Sequence, residues 1–81
     1  MNTYTFHFRA TCPSDGDLIT YTLTLQSRRT VMAESIVAAC DAIDKGFQED
    51  IAKTLFAQFP GAALTLRATH CGVQIVTELP A

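Results

Sequence analysis

The spacing of apolar residues changes twice along this chain, and this change limits its fold more than any other feature of the sequence. Apolar and polar residues alternate in the first and last thirds, which is typical of half-buried β-strands. From Thr30 to Phe59, apolar residues recur at three- and four-residue steps, as on one face of a helix. The predicted order of elements is therefore β-β-α-α-β-β.

Each terminal third holds two alternating segments separated by a turn-forming stretch. The first loop, Cys12–Asp17, contains a proline and an Asp-Gly pair, both typical of turns. The second turn is His70-Cys71-Gly72. Two strands joined in this way form an antiparallel hairpin. We therefore predict an α+β fold, with a four-stranded antiparallel sheet and a helical hairpin or kinked helix on its apolar face.

The middle third predicts either two helices or one long helix kinked at Gly46. Thr30 is expected to cap the first helix, and Lys45 and Gly46 to end it, with Gly46 in the left-handed position after the last turn. A second helix ends at Pro60-Gly61. Because a glycine inside a helix costs only about 1 kcal/mol, the kinked helix stays an alternative.

The apolar faces of these elements predict one core. Truncation of a buried Phe or Leu in it should cost about 2–5 kcal/mol. The predicted core residues are Phe6, Phe8, Tyr21, Leu23, Leu25, Ile36, Cys40, Ile43, Ile51, Leu55, Phe56, Leu64, Leu66, Val73 and Ile75.

Length and composition exclude several classes of protein. Eighty-one residues are enough for one domain, residues 1–81. With 48% hydrophobic and only 17% charged residues, the chain is not of the disordered class. No stretch approaches the roughly 18 apolar residues of a membrane span, and the N-terminus lacks a secretory signal, so we expect a cytoplasmic protein without a membrane partner. The three widely spaced cysteines are expected to be reduced thiols.

The cysteines and histidines do not show the spacing of a metal site. The only candidate set is His7, Cys12, His70 and Cys71, and zinc ligands normally come in pairs two to four residues apart. His70 and Cys71 also suggest a base and a nucleophile, but neighbours on a strand point to opposite faces. We therefore predict no metal, no cofactor, no catalytic residue and no enzymatic activity.

Four acidic residues lie close together around the predicted helix junction. They are Asp41, Asp44, Glu49 and Asp50, and Glu34 extends the group. One interpretation is an ordinary solvated helix surface. The other is an acidic patch that binds a basic surface on a partner, since charge complementarity speeds association and fixes orientation. The polar face of the sheet, which is rich in threonine, is a second candidate platform for a protein partner.

The arginines support a different interpretation. Arg28 and Arg29 lie between the second strand and the first helix, and with Arg9 and Arg67 they could form a small positive patch. A net charge of −2 argues against direct nucleic-acid binding, because phosphate contacts need clustered positive charge. A small nucleic-acid-binding module that uses these arginines stays an alternative.

The chain as a whole resembles the short proteins that phages and mobile elements encode, of which anti-CRISPR proteins are the best-known class. The likeness rests on its size, its acidic balance, the absence of a catalytic motif and a compact domain with a flat polar face. It implies stoichiometric binding to a CRISPR effector or its nuclease. The leading prediction is therefore a non-catalytic inhibitor that occludes a macromolecular protein partner through Asp41, Asp44, Glu49, Asp50, Glu34, Arg28 and Arg29. A self-associating structural protein, such as a homodimer paired through an edge strand, is a further alternative.

Overall fold

The computed structural model of the protein describes all residues from Met1 to Ala81. Its elements are β1 (Asn2–Thr11), β2 (Leu18–Ser27), α1 (Ala33–Asp41), α2 (Gln48–Gln58), β3 (Ala63–His70) and β4 (Val73–Leu79). The predicted α+β class and the β-β-α-α-β-β order are therefore confirmed. The middle third forms two helices rather than one kinked helix.

The four strands form one antiparallel sheet in the order β1-β2-β3-β4. Phe8 pairs with Tyr21, Tyr21 with Ala68, and Ala68 with Ile75, so these residues share one row and one face of the sheet. Helix α1 packs against β1, and α2 packs against β3 and β4. The face under the helices is the helix face; the other, which carries the polar residues of each strand, is the open face.

The core lies between the helix face and the two helices. The largest fully buried side chains are Tyr21, Leu23, Leu25, Leu55, Leu64, Leu66 and Cys40. The rings of Phe8 and Tyr21 stack with their centroids 5.3 Å apart, which adds to the apolar area that the pair buries. The apolar residues of the strands and those of the two helices thus pack into one core, as the sequence predicts.

Two predicted core residues, Val73 and Ile75, lie at the surface instead. Val73 is 60% exposed and Ile75 is 38% exposed, although both lie on the helix face. The reason is that β4 is an edge strand, and the helix layer ends beside it. Phe6, Ile43 and Phe56 are only partly buried and pack against the rim of the core.

The predicted ends of the first helix are wrong. Helix α1 ends at Asp41, and Met32, not Thr30, precedes its first turn, without a capping side chain. The chain leaves the helix because it pairs with the end of β1: the Thr11 N–H donates to the Asp44 carbonyl at 2.9 Å, and the Gly46 N–H donates to the Thr11 carbonyl at 3.2 Å.

Gly46 serves close packing rather than a left-handed turn. Its φ is not in the left-handed region, unlike that of the other three glycines. A Cβ at this position would lie 3.0 Å from Cγ1 of Ile51, which is buried in α2. The residue therefore lets the junction approach the start of α2. Neither helix is long and apolar enough to cross a membrane.

Candidate functional site at the hairpin end of the sheet

The two hairpin loops meet at one end of the sheet, which we call the hairpin end. The loop between β1 and β2 brings Asp15 and Asp17, and the turn between β3 and β4 brings His70 and Cys71. One potential ligand atom from each of the four residues lies within 4.8 Å of the others. We call these four residues the hairpin-end cluster.

His70 is the centre of this cluster. Its Nε2 lies 2.8 Å from Oδ2 of Asp15 and 3.8 Å from Oδ2 of Asp17. The same ring nitrogen thus faces both carboxylates. The His70 side chain is 23% exposed, against 39% for Asp15 and 65% for Asp17, so the cluster opens to solvent on the side of the loop.

Hydrogen bonds within the β1–β2 loop hold the two carboxylates in place. The Asp17 N–H donates to Oδ1 of Asp15 at 3.0 Å, the Cys12 N–H to the Asp17 carbonyl at 2.8 Å, and the Gly16 N–H to the Cys12 carbonyl at 2.9 Å. The Asp17 N–H, followed by hydrogen bonds from the His70 ring and the Cys12 thiol, lowers the pKa of Asp15 despite some desolvation. Asp15 is therefore a carboxylate at neutral pH.

Cys71 adopts a backbone conformation that is rare for its residue type. Cys71 and Gly72 have φ of 52° and 77°, and the residues that flank them, His70 and Val73, are paired. Two consecutive positive φ values define the tight hairpin turn that favours Asn-Gly or Gly-Gly. A cysteine in the first position is strained, and such outliers concentrate at functional sites.

The three thiols have different surroundings, and none is in a disulfide. Cys12 follows β1 directly and is buried. Cys40 packs in the core, as predicted, and burial raises its pKa to about 11, with a smaller contribution from Asp41. Cys71 alone is exposed.

Of the four residues considered as a metal set, only His70 and Cys71 belong to the hairpin-end cluster, and Cys12 and His7 do not. His70 and Cys71 do come together, but His7 lies on the open face, with its Nδ1 3.0 Å from Oγ1 of Thr22. The other two residues of the cluster are Asp15 and Asp17, for which the sequence predicts only a turn. The sequence feature that could have revealed this cluster is an Asp-x-Asp pair in one hairpin loop together with a His-Cys pair in the other turn.

A shallow, polar hollow lies on the open face next to the hairpin end. Its volume is about 490 Å³, and it adjoins a second hollow of about 300 Å³ across Thr20. Arg67 borders the first hollow and Arg9 the second. We call the two together the open-face hollow. The residues around it are His7, Phe8, Arg9, Leu18, Ile19, Thr20, Thr22, Arg67, Ala68, Thr69 and Gln74.

The structure separates the four predicted arginines into two pairs. Arg9 and Arg67 share the open face, because Arg9 pairs with Thr20 and Arg67 with Thr22. Arg28 and Arg29 follow β2 at the opposite end of the sheet. The single positive patch considered from the sequence is therefore not formed.

The predicted acidic group is also divided. Asp41, Asp44, Glu49 and Asp50 surround the α1–α2 junction, whereas Glu34 lies in the first turn of α1, at its other end. All five side chains are exposed, and Glu49 forms an ion pair with Lys53 one turn later at 3.8 Å. All five belong to the helix layer and none to the open face.

No protein-family model and no curated protein matches the chain. The crystal structure of the archaeosine synthase QueF-Like in its apo form has a similar fold, with a TM-score of 0.72. The match covers 95% of this chain and 90% of that chain at 17% sequence identity. At this identity the likeness concerns the fold.

The structural match contradicts the leading functional prediction. Over nearly its whole length the chain shares the fold of the archaeosine synthase QueF-Like, and no comparison shows a likeness to an anti-CRISPR-like inhibitor. The error arose because size, charge and a flat polar face are shared by many small domains.

Proposed function

We propose that this protein binds a nucleotide unit, free or within RNA, in the open-face hollow and takes part in a nucleoside-modifying reaction at the adjoining hairpin end. The observation that carries the proposal is the placement of Arg9 and Arg67 around the open-face hollow, which extends to the strand ends Leu18 and Thr69 that adjoin the two hairpin loops. The archaeosine synthase QueF-Like fold of the whole chain supports the same chemistry.

The distribution of charge removes the main objection to a nucleotide ligand. The net charge is −2, but five of the eight acidic residues, from Glu34 to Asp50, belong to the helical segment. On the open face the two arginines face only one acidic strand residue, Glu78, which pairs with Thr65 away from the hairpin end. The remaining two acidic residues, Asp15 and Asp17, lie in the β1–β2 loop, where both face the His70 ring. A phosphate near Arg9 and Arg67 therefore meets local positive charge, which is what phosphate contacts require.

The open face supplies hydrogen bonds but no aromatic stacking platform. The hydroxyls of Thr20, Thr22 and Thr69 and the amide of Gln74 border the hollow and can bond to sugar, phosphate or base edges. The aromatic side chains of β1 and β2 lie on the helix face or between the layers. We therefore expect recognition of one or a few nucleotides, not of a long single strand stacked along the sheet.

The hairpin end supplies the reactive groups. It holds the exposed thiol of Cys71 and an imidazole bonded to a carboxylate, in His70 and Asp15, while the thiol of Cys12 nearby is buried. Thiols, imidazoles and carboxylates are the groups of nucleophilic and general acid–base catalysis. The opposite end of the sheet, around Arg28 and Arg29, has no comparable set.

The test is a binding titration with two probes. A transfer RNA transcript, a structured RNA without modified nucleosides, represents RNA; the four ribonucleoside 5′-monophosphates represent free nucleotides. For the transfer RNA transcript, binding through two phosphate contacts should give a slope of about −1.4 to −1.8 in log affinity against log salt concentration. The double variant Arg9→Gln/Arg67→Gln should lose most of this binding for whichever probe is bound.

The matched control is Arg28→Gln/Arg29→Gln, which makes the same change of charge at the opposite end of the sheet. Its affinity should stay within twofold of the wild type. Absence of binding to both probes at low salt, or an equal loss in both double variants, would contradict the proposal.

A further inference from the structure

The hairpin-end cluster has the composition of a transition-metal site. It offers one imidazole nitrogen, one thiol sulfur and two carboxylate oxygens, all within 4.8 Å of one another. The donors come from two loops that are 53 positions apart in the sequence, at Asp17 and His70, and that meet only in the fold. We propose that Asp15, Asp17, His70 and Cys71 form a zinc site that joins the two hairpins.

The type of donor selects the metal. Calcium and magnesium prefer oxygen ligands alone, whereas zinc accepts thiolate, imidazole and carboxylate in a tetrahedral arrangement. Zinc–ligand bonds of about 2.0–2.3 Å place tetrahedral ligand atoms about 3.3–3.8 Å apart. A nitrogen–oxygen pair lies at the short end of this range, so the 3.8 Å between His70 Nε2 and Asp17 Oδ2 has to shorten by about 0.3–0.5 Å. The 2.8 Å contact with Asp15 has to lengthen by about 0.5–0.7 Å as the metal takes the place of the shared proton.

The geometry at His70 fits a cation better than a catalytic triad. In a triad one ring nitrogen faces the carboxylate and the other faces the nucleophile. Here a single nitrogen, Nε2, faces the carboxylates of both Asp15 and Asp17. A positive ion between these three atoms satisfies both carboxylates at once, which one imidazole proton cannot do.

A hydrogen bond within the β1–β2 loop already orients the Asp15 carboxylate as a ligand. Oδ1 of Asp15 accepts the Asp17 N–H, which leaves Oδ2 directed at His70. Hydrogen bonds of this kind orient metal ligands and are part of most metal sites. Cys71 contributes the fourth donor from a strained turn position, where a purely structural turn would favour asparagine or glycine.

The site is tested with metal alone, so its outcome is independent of nucleotide binding. Co²⁺ is titrated into the full chain with its thiols reduced, and its visible and near-ultraviolet absorption is recorded. We expect one Co²⁺ per chain, intense tetrahedral bands and a sulfur-to-cobalt charge-transfer band, all removed by Zn²⁺. An octahedral cobalt spectrum without the sulfur band would contradict the site.

Four variants assign the ligands. Cys71→Ser should abolish the sulfur band, and His70→Asn and Asp17→Asn should each weaken zinc binding at least tenfold. His7→Asn and Cys40→Ala change the same residue types away from the cluster and should bind as the wild type does. Circular dichroism confirms folding of each variant. Zinc affinity unchanged in both Cys71→Ser and His70→Asn would overturn the proposal, as would a sulfur band that disappears in Cys12→Ser but not in Cys71→Ser.

Discussion

The Nε2 atom of His70 lies 2.8 Å from the Asp15 carboxylate across 55 positions of the chain. This contact ties the loop of the first hairpin to the turn of the second. The two hairpins are otherwise joined through the pairing of β2 with β3, which ends at Tyr21 and Ala68, short of both loops. The contact therefore closes the sheet at the hairpin end.

The pair should behave as one unit in a double-mutant cycle. We expect Asp15→Asn and His70→Asn each to lower the melting temperature of the metal-free protein. The double variant should melt no lower than the less stable of the two single variants. The reason is that either change removes the same contact. Additive losses in thermal denaturation would show that the two residues act separately.

Cys71 should destabilise its turn, because its positive φ is unfavourable for a cysteine. Asparagine accepts a positive φ more readily, so Cys71→Asn should stabilise the metal-free protein by about 0.5–1 kcal/mol. For a domain of this size the melting temperature should rise by about 2–8 °C. Zinc binding should be lost in the same variant.

Gly72→Ala is the matched change in the second turn position. Its φ of 77° is unfavourable for any side chain, although a Cβ there meets no neighbouring atom. It should therefore lower the melting temperature through the backbone alone. A rise with Gly72→Ala, or a fall with Cys71→Asn, would contradict this account of the turn.

Truncation of Leu55 and of Val73, which the sequence predicts to share the core, should have different effects on stability because only Leu55 is buried. Leu55 is fully buried between α2 and the sheet, so Leu55→Ala should cost about 2–5 kcal/mol. Val73→Ala at the exposed edge strand should change the stability by no more than about 0.5 kcal/mol. Urea denaturation of both variants measures the difference, and equal losses would mean that β4 is covered.

The three thiols should react at different rates. At pH 8 we expect Ellman's reagent to label one thiol per chain rapidly, at Cys71, and the buried Cys12 and Cys40 only when the chain unfolds. Cys71→Ser should remove the fast phase. Rapid labelling of two or three thiols in the folded protein would contradict the burial of Cys12 and Cys40.

The raised pKa of Cys40 also predicts that the protein loses stability at alkaline pH. Its pKa rises from 9.0 in the unfolded chain to about 11 in the fold, so the unfolded state releases its proton first. The contribution of the neutral thiol is fully present below pH 9 and decreases between pH 9 and about 11. Cys40→Ala should show a smaller decrease over this range in denaturant titrations.

The local pattern of the sequence was sufficient for the fold but not for the site. Alternation and the helical stripe depend on neighbours a few residues apart, which is why the strands, the helices and most of the core were predicted. The exposure of Val73 and Ile75 depends on how far the helix layer extends over the sheet. The early end of α1 depends on hydrogen bonds between Thr11 and the junction, and no local pattern encodes them.

The hairpin-end cluster depends on three separate features of the fold. The β2–β3 register, the length of the β1–β2 loop and the left-handed turn at Cys71 must combine before Asp15 meets His70. Each of these residues lies in a predicted turn, but the local pattern does not determine the strand order that brings the two turns to one end of the sheet.

The most direct test of the proposed function is to map the nucleotide on the structure. Backbone amide resonances of the ¹⁵N-labelled protein are followed by NMR during titration with the transfer RNA transcript or the nucleoside monophosphates. The account predicts shifts concentrated at the open-face hollow and the hairpin end, including Arg9, Thr20, Arg67, Thr69 and His70. Shifts confined to the helix layer or to the end of the sheet that carries Arg28 and Arg29, or no shifts with either probe, would contradict it.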